Sequence, residues 1–149
     1  MHDCHACLCH PYSLSSHPRF KTPQGIKVWS GNDDEAHDAR HKAGAQGVIS
    51  VTSNVIPRVF RTLMDTQDDA LAAKCMPLIS WLFAEPNPIG LNTILMQGGL
   101  CKPVWRLPYV PMSAAQRKEI IEIVSELGMH HTIFDKLEVM DDSDFHYLS

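Results

Sequence analysis

Two stretches decide the fold: Gly25-Ile26-Lys27-Val28-Trp29-Ser30-Gly31-Asn32-Asp33-Asp34-Glu35 and Gly47-Val48-Ile49-Ser50-Val51-Thr52. The first alternates β-formers up to a glycine and then changes character, so residues 25–30 read as a strand. Asn32 is a capping residue, and Asp33, Asp34 and Glu35 place negative charge where a helix exposes its free N–H groups. The helix is predicted to run to about Ala43, with Gly44 just beyond its end. The second stretch is apolar, β-branched and uncharged, the pattern of a parallel strand covered on both faces. Asn54 and Pro57 open another helix, because proline's missing N–H has no partner in a first turn. Residues 25–66 thus read as β-α-β-α.

Beyond Asp68 the pattern turns helical. Leu71, Cys75, Leu78, Ile79 and Leu82 fall at helical spacing over residues 68–84, with Pro77 predicting a kink. A short helix over Ile89–Gln97 stops at Gly98-Gly99. Residues 100–112 hold Pro103, Pro108 and Pro111 and read as an extended connection. Ser113 caps Ala114–Leu127, whose Ile120, Ile121, Val124 and Leu127 form one stripe, and Gly128 supplies the stop. Residues 129–149 end in an acidic tail through Asp141, Asp142 and Asp144 that reads as mobile. Two parallel strands can neither close a barrel nor form a doubly wound sheet, so the chain reads as the end of something larger.

At 149 residues, with 44% hydrophobic and 20% charged residues, the composition suits one globular domain. A net charge of −4 without any long basic run argues against nucleic acid as partner. The longest uncharged stretch, residues 86–101, carries two prolines, three glycines, two asparagines and a glutamine, so no membrane span is expected. Residues 1–20 lack both the apolar core of a secretory signal and the Arg-rich pattern of a transit peptide. Five cysteines, three of them among the first ten residues, do not suit a disulfide framework, and a soluble intracellular setting is expected.

Three constellations invite chemistry. His2, Cys4, His5, Cys7, Cys9 and His10 are metal-ligand types, but a single ten-residue knot has no second ligand pair, and an unstructured leader over residues 1–22 is the expectation. His37 and His41 lie one turn apart and superficially resemble a zincin helix, against which a solvated helix face is the expectation. No metal and no cofactor are expected. Lys27 is a strand lysine, a type that can form imines when desolvated. No phosphate loop, serine elbow or cysteine-nucleophile motif is present.

Four blocks carry more than their pattern. Val28-Trp29-Ser30-Gly31-Asn32-Asp33-Asp34-Glu35, Gly47-Val48-Ile49-Ser50-Val51-Thr52-Ser53-Asn54, Glu85-Pro86-Asn87-Pro88-Ile89 and Arg106-Leu107-Pro108-Tyr109-Val110-Pro111 resemble, in order and spacing, the C-terminal half of the dihydrodipicolinate synthase family, in its plant and algal branch. The resemblance covers about residues 25–145. It implies an α/β fold: the last two β/α units of a (β/α)8 barrel over residues 23–67, strands seven and eight with their helices, then a C-terminal helical domain over residues 68–128. Family members join pyruvate to a lysine as an imine and condense it with aspartate semialdehyde on the route to lysine. On that map Gly31 and Asn32 line the substrate pocket at the end of strand seven. Ile49 is the strand-eight residue whose backbone lies against pyruvate.

The departures matter as much. The family's imine lysine lies on strand six, and its tyrosine proton relay lies earlier still; neither position exists in this chain. Gly25-Ile26-Lys27 imitates the lysine string, but Lys27 falls on strand seven, so the role is not transferred and no catalytic residue is expected. The resemblance therefore implies a lyase fragment that is inactive alone, with pyruvate as the small-molecule substrate of the complete enzyme. Its partners would be further copies of itself or a full-length synthase, and its compartment the plastid. A non-catalytic module docking on a full-length synthase is the alternative.

Overall fold

The computed structural model describes residues 5–8 and 27–148. Where the sequence predicts two parallel strands, three pair. His5–Leu8 (β1) runs parallel to Lys27–Ser30 (β2), which runs parallel to Gly47–Val48 (β3), in the order β1-β2-β3. The unstructured leader expected over residues 1–22 is corrected at β1; the rest of that segment, with its other cysteines and histidines, lies outside the described residues. The cause is general: the outer edge of β2 carries backbone donors and acceptors that an extended segment satisfies.

β3 is shorter than the predicted strand. The Ile49 N–H still donates to the Ser30 carbonyl at 3.0 Å, but the chain then turns into a 3-10 turn, Thr52–Asn54. The expectation of cover on both faces also fails here, since Ile49 is 68% exposed. One side of the sheet packs on the helix Asp33–His41 (α1), with Val28 and Ser30 buried beside Ala36 and Ala39. Among the described residues no barrel closes.

The remaining helices follow the sequence closely. Pro57–Asp65 (α2) starts on its proline, and Asp69–Leu82 (α3) is capped by the Asp68 carboxylate, which accepts from the Leu71 N–H at 2.9 Å. Pro77 lies inside α3. Ile89–Gln97 (α4) has the predicted bounds, as does Ala114–Leu127 (α5). At the start of α5 the Gln116 N–H donates to Ser113 Oγ while the Ser113 N–H donates to Gln116 Oε1, a reciprocal cap; Gly128 takes φ 106° beyond its end. One core joins these helices through Phe60, Leu78, Leu82, Ile94, Ile120 and Val124. No helix among the described residues is long and apolar enough to cross a membrane.

Gly90 is where α4 meets the end of α3. A Cβ there would lie 2.6 Å from the Leu82 carbonyl oxygen, a backbone atom that cannot rotate away. Gly90→Ala is therefore expected to lower stability by about 1–3 kcal/mol in chemical denaturation, despite alanine's better helix propensity.

The mobile tail is corrected as well. Phe134, Leu137 and Phe145 are buried, and His146–Leu148 (β5) pairs parallel with Val104–Arg106 (β4) inside the predicted extended connection. Three aspartates made the tail look solvated, but its apolar residues anchor it. Asp142 faces the buried guanidinium of Arg117 on α5.

Candidate functional site

The exits of β2 and β3 lie side by side because the Ile49 N–H reaches the Ser30 carbonyl at 3.0 Å. Ser30 Oγ donates to the Asn32 carbonyl at 2.9 Å and accepts from the Asn32 N–H at 3.2 Å, which folds the turn through Gly31 on itself. Gly31 and Asn32 are half-buried, and Ile49 stands exposed next to this turn. The structure thus brings all three sequence-predicted residues to one end of the sheet. Asn32 occupies the cap position of α1 but makes no side-chain capping bond; it lines a groove of about 250 Å³ with Asp34, Met76 and Phe83.

Asp33 holds this end together, a role that sequence reasoning missed. In the sequence it reads as negative charge in a first helical turn; in the structure it is 4% exposed. Its Oδ2 accepts from the Val51 N–H at 3.0 Å, the Thr52 N–H at 2.7 Å and the Thr52 hydroxyl at 2.7 Å. One charged acceptor with three donors ties the start of α1 to the turn that follows Ile49. The Asp-to-Thr separation of 19 residues gives no local signal in the sequence.

The solvated face expected for His37 and His41 is corrected. His37 is 7% exposed. His41 Nε2 donates to the Leu63 carbonyl at 2.8 Å, and Arg40 donates to the carbonyls of Met64 at 3.2 Å and Ala45 at 3.0 Å. Leu63 and Met64 belong to the last turn of α2, whose free carbonyls need such donors. His37, Asp38 and Asp69 do bring ligand atoms within 4.8 Å of one another. The protein's own cation stands there: Lys42 Nζ lies 2.7 Å from Asp38 Oδ1 and 3.7 Å from Asp69 Oδ1, and that hydrogen bond holds the Asp38 carboxyl below its ordinary range. Lys27, the strand lysine, is exposed at the beginning of β2.

Parallel strands alternating with helices, with strand exits gathered at one end, define an α/β protein whose ligands are expected beyond those exits. The chain belongs to the dihydrodipicolinate synthetase family, whose model matches residues 14–127. That match reaches into the segment over residues 1–22 expected to be unmatched. The chain is 53% identical over 126 residues to 4-hydroxy-tetrahydrodipicolinate synthase 1, chloroplastic, of Arabidopsis thaliana, covering 83% of this chain and 34% of that one. It is 51% identical over 137 residues to the chloroplastic synthase 2 of Triticum aestivum, covering 89% and 36%. Among solved structures, dihydrodipicolinate synthase from Thermotoga maritima superposes with a TM-score of 0.64 at 33% identity, covering 70% of this chain and 38% of that one. The Acinetobacter baumannii enzyme complexed with pyruvate gives 0.61 at 30% identity, covering 70% and 38%. The chain spans about a third of the length of the curated relatives it matches.

Proposed function

We propose that this chain is the C-terminal portion of a dihydrodipicolinate synthase-like lyase, the enzyme type that condenses pyruvate with aspartate semialdehyde through a lysine imine, and that it is catalytically silent by itself. One observation carries the reading: the strand that pairs with β2 is His5-Ala6-Cys7-Leu8, which holds no lysine and in this reading takes the place of the family's lysine-bearing strand six. Without an amine at that place no imine forms, and without the tyrosine relay the aldol step has no general acid or base. In this reading β2 and β3 are strands seven and eight of the barrel. Gly31 and Asn32 are pocket walls, and the Ile49 backbone is the surface against which pyruvate rests. The reading also places the protein in the plastid, in keeping with the relatives named chloroplastic.

A second reading, a non-catalytic module that docks on a full-length synthase, is favoured by the exposure of Ile49. Parallel sheets are nearly always covered on both faces, and here Ile49 stands bare at the strand exit. The size of the protein in its source cells, read with an antibody against Ala114–Leu127, separates the two. A product about twice 16.7 kDa or larger is expected for a portion of a working lyase. A product of 16.7 kDa that co-purifies with a full-length synthase supports the module instead.

A further inference from the structure

Asp33 and His37 stand one turn apart on the buried face of α1, at 4% and 7% exposure. Asp33 Oδ2 takes three hydrogen bonds, whereas Oδ1 is buried and makes none among the described residues. On His37, Nδ1 lies 3.6 Å from Asp38 Oδ1 and 3.7 Å from Asp69 Oδ1, carboxylate oxygens that can only accept. Acceptors on that side favour the ring proton on Nδ1, which leaves Nε2 as the lone-pair nitrogen. Nε2 is likewise buried and makes no hydrogen bond among the described residues. Two buried acceptors cannot satisfy each other; both require a donor, and leaving them without one costs about 1–3 kcal/mol each.

Asp33 and His37 line the same small cavity, whose other walls include the apolar side chains of Phe60, Leu63, Met76 and Ile79. Its volume is about 20 Å³. One water needs roughly 10–15 Å³, so the space suits a single molecule. A second cation is disfavoured by Lys42, whose ammonium already pairs with Asp38 and Asp69 beside the ring.

We propose that this cavity binds one water molecule, which donates one hydrogen to Asp33 Oδ1 and the other to His37 Nε2. The water fixes the rotation of the carboxylate whose other oxygen holds Val51 and Thr52. His37 is thereby a positioning residue for the turn that follows Ile49, independent of whether the chain serves catalysis. The inference stands apart from the lyase reading, because it concerns the free protein and needs no substrate.

Nitrogen-detected NMR on the labelled full chain tests it. The expected result is His37 in the Nδ1–H form, with Nε2 at the shift of a hydrogen-bonded acceptor and a cross-peak from its ring protons to a slowly exchanging water. An Nε2–H form, free to donate straight to Asp33, overturns the proposal, as does the Nδ1–H form without the water cross-peak. His37→Phe keeps a ring in place and removes the acceptor. It is expected to lower hydrogen-exchange protection of the Thr52 amide about tenfold relative to amides of α5. Unchanged Thr52 protection overturns the positioning role, and if the variant does not fold, the spectra of the parent chain still decide.

Discussion

Arg117→Ala is expected to lower stability by about 3–4 kcal/mol and to release the chain beyond Leu137 as a protease-sensitive tail. The guanidinium is 2% exposed, and each of its three nitrogens donates a hydrogen bond. Nε donates to the Met140 carbonyl at 2.9 Å, Nη1 to the Met112 carbonyl at 2.7 Å, and Nη2 to Asp142, while the charge lies 5.2 Å from the centre of the Phe145 ring. The Asp142 pair contributes little of this, because that carboxylate is 84% exposed and screened by solvent. The larger part comes from the two carbonyls left without donors and from the space the side chain vacates. Arg117→Lys keeps the charge but offers a single ammonium in place of the planar fork, so an intermediate loss is expected. Urea denaturation gives the magnitude, and limited proteolysis between residues 138 and 145 shows whether the tail detaches first.

Asp33→Ala is expected to cost a similar amount, about 3–4 kcal/mol, through a separate set of hydrogen bonds. It strands the N–H groups of Val51 and Thr52 and the Thr52 hydroxyl, which is buried with its residue at 0% exposure. Asp33→Asn retains one acceptor oxygen without the charge and should lose less. The distinguishing readout is local. Amide exchange at Val51 and Thr52 should accelerate well beyond the change in α5, whose cap and packing do not involve Asp33.

Legibility tracked how local each determinant was. The bounds of α4 and α5 could be read because Gly98-Gly99, Ser113 with Gln116, and Gly128 act within a turn or two of the ends they set. Asp33 could not. An acid at a helix start looks the same whether it faces water or binds a turn 19 residues further along. The role of His41 is hidden for the same reason, since its acceptor, the Leu63 carbonyl, belongs to the next helix. The tail hid its anchors, Phe134, Leu137 and Phe145, behind three aspartates, and nothing nearby announces that Arg117 is buried beneath it. β1 is set by the free edge of β2 rather than by any pattern of its own. Of the site, no motif joins Gly31 and Asn32 to Ile49. The family resemblance supplied that association, and the Ile49 bond to Ser30 gives its geometry.

In the proposed reading a strand without a lysine stands where the family forms its imine. Intact mass spectrometry of the purified chain after incubation with pyruvate and borohydride tests this most directly, because reduction makes any imine permanent. The expected result is an unchanged mass, with Lys27 unmodified. A stoichiometric pyruvyl adduct on Lys27 would contradict the account and restore a catalytic role to this chain.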